Sequence, residues 1–174
     1  WHAMIVITEN QVENLAQYPA LIAAMDAVFI AAARSQTENY PFVRSELRDA
    51  RGLFGIKSGC NYAAGTLGLK CGGYWNRNAA KQKDRHQSTV LLIDIDTGEP
   101  SALVAGNNLT ALRTAAAGAS AARALARENA QHVAILGTGR QALFQIQALC
   151  AIRRIRSVTA WSRCAENVAV FGES

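Results

Sequence analysis

The sequence predicts an α/β chain in which a mixed helix-and-strand domain is followed by the first part of a parallel βαβ domain. Three observations predict this class. Residues 132–161 have the pattern of a strand, a glycine turn, a helix and a second strand. Residues 89–106 have the pattern of a β-hairpin. Residues 12–34 have the pattern of a helix, and short strands follow it. We place the boundary after residue 128, which gives domains of residues 4–128 and 129–174.

Composition excludes several kinds of protein. Half of the 174 residues are hydrophobic, yet no apolar run is long enough to span a membrane, and no charged segment typical of a signal peptide precedes one. We therefore expect a cytoplasmic protein without a membrane partner. The net charge of +5 comes from dispersed Lys and Arg residues without interleaved aromatic side chains, so we expect no nucleic-acid partner.

The cysteines and the first three residues are expected to have no role in function. No two cysteines have the spacing of a zinc site, so we expect no metal, and reduced thiols that pack in the protein, at Cys60, Cys71, Cys150 and Cys164. Trp1–Ala3 precede Met4, and we interpret them as foreign to the natural chain.

The first half of the chain predicts one helix and then several strands. A helix from Val12 to Arg34 has apolar residues at roughly helical spacing, which predicts a core face formed by Leu15, Leu21, Ile22, Met25, Val28, Phe29 and Ile30. From Tyr40 onward, short apolar pieces broken by Gly and Asn predict strands, in FVRSEL, LFGIKSG and TLGLKCGGYW.

The segment TVLLIDIDTGEPSALVAG predicts a hairpin. Two β-rich runs flank a turn at Asp96–Pro100, where Gly98 supplies a positive φ and Pro100 closes the turn. Carboxylates this close to a turn are more often solvated or hydrogen-bonded to turn amides than catalytic, so we assign no catalytic role to Asp94 or Asp96.

The segment LTALRTAAAGASAARALAR predicts a helix with Thr110 as its N-cap. Its small residues at helical spacing favour close packing against another backbone, at Ala111, Ala115, Gly118 and Ala122. Arg113 and Thr114 are expected in the first turn, where free N–H groups and the helix dipole favour a bound anion, and both are candidate cofactor-binding residues.

The segment HVAILGTGRQALFQIQALC predicts a dinucleotide site. A strand at Val133–Leu136, a helix at Gln141–Arg153 and a strand at Ser157–Trp161 form a βαβ unit of the expected size. Gly137 permits the tight turn, Gly139 permits close approach of a pyrophosphate, and Ala142 occupies the third position of the motif. The predicted cofactor-binding residues of this segment also include Thr138, Arg140 and Gln141.

The end of the second strand indicates which nucleotide would bind. Enzymes that use NAD place an acidic residue there for the ribose hydroxyls, whereas this strand ends in Ser162 and Arg163. A hydroxyl and a guanidinium suit a 2′-phosphate, so NADP(H) is favoured over NAD(H). Glu166 is a poorly placed substitute for the acidic residue.

The order of these segments resembles the ornithine cyclodeaminase and mu-crystallin family. The hairpin, the helix start LTALRTAAA and the turn AILGTGRQA follow one another as in that family, and HQSTVLLIDIDTGEP and GLKCGGYWNRN are similar to its other characteristic segments. The resemblance extends from about Tyr40 onward. It implies a mixed α/β domain that binds substrate and forms a homodimer, joined to a Rossmann domain.

The resemblance also implies a substrate site. By position, an arginine before the first strands, a lysine in the GLKCGG strand and the arginine of the T-x-x-R-T helix start correspond to Arg44, Lys70 and Arg113. A guanidinium holds a carboxylate through two hydrogen bonds, and a lysine beside the reacting carbon can bind the carboxylate or move protons. Lys70 is our candidate catalytic residue, and all three are candidate substrate ligands, with a solvated surface position as the alternative for Arg44.

Two functions follow from the resemblance. The first is an NAD(P)-dependent oxidoreductase or deaminase that transfers hydride at the α-carbon of an amino acid or cyclic imine, like ornithine cyclodeaminases, alanine dehydrogenases and ketimine reductases. The second is a non-catalytic small-ligand-binding dimer of the mu-crystallin kind. The joint presence of Arg44, Lys70 and Arg113 favours the enzyme, since a mere binder has less need of a polar pocket.

We expect the chain to hold only part of such an enzyme. A dinucleotide lies across strands from both halves of a Rossmann sheet, and only the first half is present. The catalytic Asp that the resemblance implies for a cyclodeaminase would follow Ser174. We therefore expect a fragment or a truncated product that is inactive alone, with residues 129–174 either poorly ordered or paired with material outside the sequence.

Overall fold

The computed structural model describes residues 4–173, and the chain divides into two compact units. The first comprises residues 4–15 and 27–110, and the second comprises residues 16–26 and 111–173. The boundary that we placed after residue 128 stays a prediction, although these units divide the chain differently. The interpretation of Trp1–Ala3 lies outside the described residues.

One mixed sheet forms the body of the first unit. Its strands are β1 (Ile5–Ile7), β2 (Thr37–Asn39), β3 (Val43–Glu46), β4 (Gly52–Asn61), β5 (Thr66–Trp75), β6 (His86–Ile93) and β7 (Pro100–Ala105). Their order in the sheet is β1-β7-β6-β5-β4-β2, with β3 also paired to β4, and all pairs are antiparallel except that of β1 and β7. Short 3-10 turns follow β3, β4 and β5, at Arg48–Ala50, Tyr62–Ala64 and Asn76–Lys81.

The structure confirms the predicted strands and hairpin of this unit. β5 coincides with TLGLKCGGYW, β3 lies within FVRSEL, and β4 contains LFGIKSG and extends beyond it at both ends. In the β6–β7 turn, Gly98 has a φ of 73°, as expected, but Pro100 begins β7 instead of closing the turn.

Asp94 Oδ1 accepts hydrogen bonds from the amides of Asp96 and Thr97 and from the Thr97 hydroxyl. These bonds, those from Thr97 above all, lower the pKa of Asp94.

The predicted helix at Val12–Arg34 is in fact two helices, α1 (Glu9–Leu15) and α2 (Tyr18–Ala33), bent by 88°. Pro19 explains the break, because proline has no amide hydrogen to donate to a carbonyl in the preceding turn but fits a first helical turn. Most of the predicted core face is exposed, including Leu15 at 71% and Ile30 at 52%.

No single helix among the described residues is long and apolar enough to cross a membrane. Taken together, α1 and α2 have the necessary length and composition, but they are bent by 88°.

The second unit is a βαβ arrangement packed on a helix. α3 (Asn107–Leu125) contributes its residues from 111 onward, followed by β8 (His132–Leu136), α4 (Arg140–Cys150), β9 (Ser157–Trp161) and α5 (Ala165–Gly172). β8 and β9 are parallel and paired residue for residue. Residues 129–173 thus form regular elements, whereas poor order was one of our two expectations for them.

Small residues allow close packing in this unit, as predicted. The buried cluster consists of Ile22, Ala115, Ala116, Ala119 and Ala148. A Cβ at Gly118 would lie 2.4 Å from the side-chain oxygen of Gln145 in α4, so glycine leaves room for that side chain in its present position. Asp26 of α2 accepts a hydrogen bond from Ser120 and pairs with Arg123, and these interactions, Ser120 first, lower its pKa.

Candidate functional site

A cavity of about 290 Å³ opens on the sheet of the first unit and contains two of the predicted site residues, Arg44 and Lys70. Four further polar residues of this cavity were not predicted: Lys57, Tyr74, His86 and Ser88. The remaining lining is apolar or glycine, from Phe42, Leu53, Gly55, Gly72 and Gly73.

Strand register explains why these residues meet. Arg44 lies opposite Gly55, Gly55 opposite Gly72, and Gly72 opposite Ser88, so the four positions form one row across β3 to β6. Side chains directly opposite one another share a face of the sheet. The two glycines contribute no side chains to the middle of the row and line the cavity, and the Phe42 ring lies over Gly55, 3.1 Å from where a Cβ would stand.

Lys70 is held by a hydroxyl from α3. Its Nζ donates to Thr110 Oγ1 at 3.3 Å, and Thr110 Oγ1 lies 3.4 Å from Ser88 Oγ. The Lys70 side chain is partly buried, and Lys57 lies directly opposite it on β4. At the other end of the cavity, the rings of Tyr74 and His86 meet edge to face with centroids 5.3 Å apart.

The start of α3 differs from the prediction. The helix begins at Asn107, so Thr110 lies inside it and is not the N-cap. The carboxylate of Glu9 accepts hydrogen bonds from the amides of Asn107 (2.8 Å) and Asn108 (2.9 Å). The first turn of α3 therefore has a carboxylate of the protein itself on its amides, and these amides are not the free N–H groups from which we predicted a bound anion.

Arg113 and Thr114 consequently lie in the second turn of α3, not the first. Arg113 is exposed and, among residues 4–173, has no hydrogen-bond or ion-pair partner. The Thr114 carbonyl accepts a hydrogen bond from Gln145 Nε2 at 3.3 Å. Both residues belong to the second unit. Their predicted roles in binding substrate and cofactor stay predictions.

The glycine turn that we predict to bind a dinucleotide lies in the second unit. It joins β8 to α4 at the carboxyl ends of two parallel strands, which is where such ligands bind in open α/β sheets. Gly137 has a φ of 101°, and its amide donates to the Trp161 carbonyl at 2.7 Å. A Cβ at Gly137 or Gly139 would meet nothing within 4 Å, so the space beside the turn is open.

The other predicted cofactor residues surround this turn. α4 begins at Arg140, one residue earlier than predicted, with Gln141 next, and Thr138 lies between the two glycines. The Arg140 guanidinium lies 5.8 Å from the centre of the Phe144 ring. Ser162 follows β9 and accepts a bond from the Cys164 amide at 3.4 Å, while Arg163 is exposed.

The described residues contain free thiols but no cluster of metal ligands. The described part of the chain contains no group of three or more His, Cys, Asp or Glu side chains placed to hold a metal ion. Its four cysteines are free thiols, and Cys60 is buried whereas Cys150 is exposed.

A family model named "Ornithine cyclodeaminase/mu-crystallin family" matches residues 2–173 of the sequence. The chain belongs to this family. Its relatives there include the iminosuccinate reductase of Paracoccus denitrificans, which is 40% identical over 97% of this chain and 55% of that protein. The crystal structure of that reductase with NAD⁺ superimposes with a TM-score of 0.88 at 39% identity, again over 97% and 55% of the two chains.

Two other solved structures have the same fold. The Δ¹-pyrroline-2-carboxylate reductase of Thermococcus litoralis, solved with NADH and L-proline, has a TM-score of 0.90 at 25% identity over 98% of this chain and 53% of that one. An archaeal alanine dehydrogenase dimer with bound NAD has a TM-score of 0.89 at 28% identity over 98% and 52%. The chain spans about half the length of these relatives.

Proposed function

We propose that the protein is an NAD(P)-dependent oxidoreductase that interconverts an α-amino acid and the corresponding imine. The observation that carries this proposal is the cavity in which Arg44 and a hydrogen-bonded Lys70 face a floor of glycine. A pocket of this kind suits a small carboxylic acid, and the relatives are reductases and a dehydrogenase of such acids.

The residues of the cavity have different proposed roles, which follow from the chemistry of their side chains. The Arg44 guanidinium holds the α-carboxylate, because its planar fork matches a carboxylate bidentately. In the reductive direction the α-carbon receives a hydride and the nitrogen a proton, and Lys70 Nζ, oriented by Thr110, moves that proton. Arg113 and Thr114 complete the proposed contacts to substrate and cofactor from α3.

The glycine turn fits a nicotinamide dinucleotide. Bound there, the cofactor supplies or accepts the hydride. Open space beside Gly137 and Gly139 admits a pyrophosphate, and the α4 amides from Arg140 and Gln141 point toward the start of the helix, where an anion is favoured. Thr138 and the Arg140 side chain add donors at the same place.

We further propose that NADP(H) binds more tightly than NAD(H), because Ser162 and Arg163 follow β9 where an acidic residue would bind the ribose of NAD. The change Arg163→Asp should reverse or abolish this preference, shifting the ratio of the two dissociation constants by about tenfold or more. Fluorescence titration with NADPH and NADH measures both. Equal affinities for NADPH and NADH in the unchanged protein would contradict the proposal. The test is demanding because three relatives were solved with NAD⁺, NADH or NAD.

We also propose that the protein is a homodimer. Large apolar side chains of the first unit are exposed in the single chain, among them Ile5 (61%), Phe29 (48%) and Ile30 (52%), and such surfaces mark association sites. The related alanine dehydrogenase was solved as a dimer. On this proposal residues 4–128 bind substrate and dimerise, and residues 129–174 belong to the cofactor domain. A monomeric mass by sedimentation equilibrium would contradict it.

The test of the proposed function is an assay of the full chain as its host makes it. Mixtures of 2-oxo acids with ammonia, and cyclic imines such as Δ¹-pyrroline-2-carboxylate, should be reduced at the expense of NADPH or NADH, with the amino acid as product. Saturation with substrate and identification of the product by chromatography would support the proposal. Absence of turnover with every imine and every amino acid, in protein that binds the cofactor, would overturn it.

A further inference from the structure

The first turn of α3 carries Thr110, whose hydroxyl oxygen accepts the hydrogen bond from Lys70 Nζ at 3.3 Å. The position of this turn therefore decides where the Lys70 ammonium is held. A helix cannot satisfy its first amides internally, so its first turn is the part that frays most easily. The Thr110 amide donates to the Gly106 carbonyl at 2.9 Å, but the amides of Asn107 and Asn108 need partners from elsewhere.

Glu9 of α1 supplies both partners. Its Oε1 accepts from the Asn107 amide at 2.8 Å, and its Oε2 accepts from the Asn108 amide at 2.9 Å. Both oxygens of one partly buried carboxylate are thus bound to one helix end, where the helix dipole adds a favourable charge interaction. Glu9 thereby fixes the start of a helix that begins 98 positions later in the chain.

α1 is fixed in turn, so the Glu9 carboxylate has a defined position. The Thr8 amide donates to Gln11 Oε1 at 2.9 Å, and the Gln11 amide donates to Thr8 Oγ1 at 3.4 Å, which is the reciprocal pair of a capping box. β1, the strand ahead of α1, pairs with β7 in the sheet, and Val12 of α1 is buried. The N-terminal segment thus connects the sheet to the start of α3.

A second set of bonds joins the same turn to β6. Asn107 Oδ1 accepts from the Ser88 amide at 2.8 Å, and the Gly106 amide donates to the Ser88 carbonyl at 2.9 Å. Ser88 Oγ lies 3.4 Å from Thr110 Oγ1. The first turn of α3 is therefore fixed by Glu9 and by β6 together, and the Thr110 hydroxyl is fixed with it.

We propose that Glu9 is a positioning residue for the reaction, which fixes Thr110 and through it the Lys70 ammonium. This inference rests on the proposed function, in which Lys70 moves the proton. Displacing a catalytic group by about 1 Å can lower a rate by about 100-fold, so loss of the Glu9 carboxylate should lower kcat. Arg44, the proposed ligand of the substrate carboxylate, is on β3 and outside this series of bonds, so KM should change little.

The experiment is a double-mutant cycle in the full chain, with kcat and KM measured for imine reduction at saturating cofactor. Glu9→Gln keeps the size of the side chain, but it has no charge and turns an N–H group toward one of the two amides. We expect kcat to fall about 10-fold and KM to stay nearly unchanged. Thr110→Val removes only the hydroxyl and should also lower kcat. In the Thr110→Val background, Glu9→Gln should have no further effect on kcat.

Two other variants of α1 are the controls. Glu13→Gln removes a charge one turn after Glu9, but it keeps an acceptor oxygen for Asn108 Nδ2, which donates to Glu13 Oε1. Val12→Ala removes buried methyl groups and lowers stability without altering the carboxylate bound to α3. Thermal unfolding of all variants measures the stability loss. Both controls should leave kcat nearly unchanged.

The outcomes separate the positioning role from the function on which it rests. An unchanged kcat in Glu9→Gln or in Thr110→Val, or effects of these two changes that multiply in the double variant, would overturn the positioning role while the oxidoreductase stands. An equal loss of kcat in Glu13→Gln or Val12→Ala would assign the effect to charge or to stability, and would overturn that role too. Absence of turnover in the unchanged protein with every imine overturns the proposed function itself, and the positioning role with it.

Discussion

Replacing Lys70 by methionine should lower kcat by about 10²- to 10⁴-fold, the range that a positioned proton donor contributes. Methionine keeps the length and the apolar stem of lysine but has no proton to move. Because Thr110 and Ser88 can still interact with each other, the hydroxyl pair behind Lys70 should stay in place. Lys70→Arg should restore little activity, because a guanidinium binds a carboxylate but does not give up its proton at neutral pH. Steady-state kinetics with saturating cofactor measures both variants.

This prediction can be distinguished from a simple loss of folding. Lys70 faces Lys57 across the strands, so removing one of the two positive charges should leave the melting temperature unchanged or slightly higher. Cofactor affinity should also be unchanged, since the glycine turn belongs to the second unit. A kcat within twofold of the unchanged protein would show that Lys70 only binds the substrate or only supports the sheet, and our assignment would then be wrong.

Local patterns were enough to predict elements whose residues meet near neighbours in the sequence. β5 and β9 coincide with the predicted segments, because β-branched and apolar runs bounded by Gly, Asn or Ser have few alternatives. The turn at Gly137 followed from the same kind of pattern. The helix break at Pro19 could also have been found this way, since a proline inside an apolar helical pattern is a local signal.

Features that depend on distant residues could not be predicted. Thr110 looked like an N-cap because it precedes an alanine-rich run, yet Glu9, about a hundred positions away, supplies the carboxylate for the first turn of α3. In the same way, Lys57 and His86 enter the cavity only through the register of β4, β5 and β6. Arg44 and Lys70 were found through family resemblance, which carries such long-range information indirectly.

Glycine at position 73 is expected to be essential for the stability of the first unit. A Cβ at Gly73 would lie 1.7 Å from the Leu53 carbonyl oxygen and 2.7 Å from its carbon. Both atoms are backbone, so no rotamer change can relieve the clash, and β4 and β5 would have to separate where Phe54 pairs with Gly73. We expect Gly73→Ala to lower the free energy of unfolding by about 3 kcal/mol or more, as overpacking against a rigid backbone does.

Gly98→Ala is the matched control for Gly73→Ala in the same unit. A Cβ at Gly98 would meet nothing within 4 Å, so alanine there adds only the strain of a φ of 73°, about 1 kcal/mol. Urea denaturation followed by circular dichroism gives both values. Gly73 neighbours Gly72 on the cavity floor, so separation of β4 and β5 should also reduce kcat/KM in Gly73→Ala but not in Gly98→Ala. If the two variants lost equal stability, the close approach of β4 and β5 at Gly73 would not be the reason for its glycine.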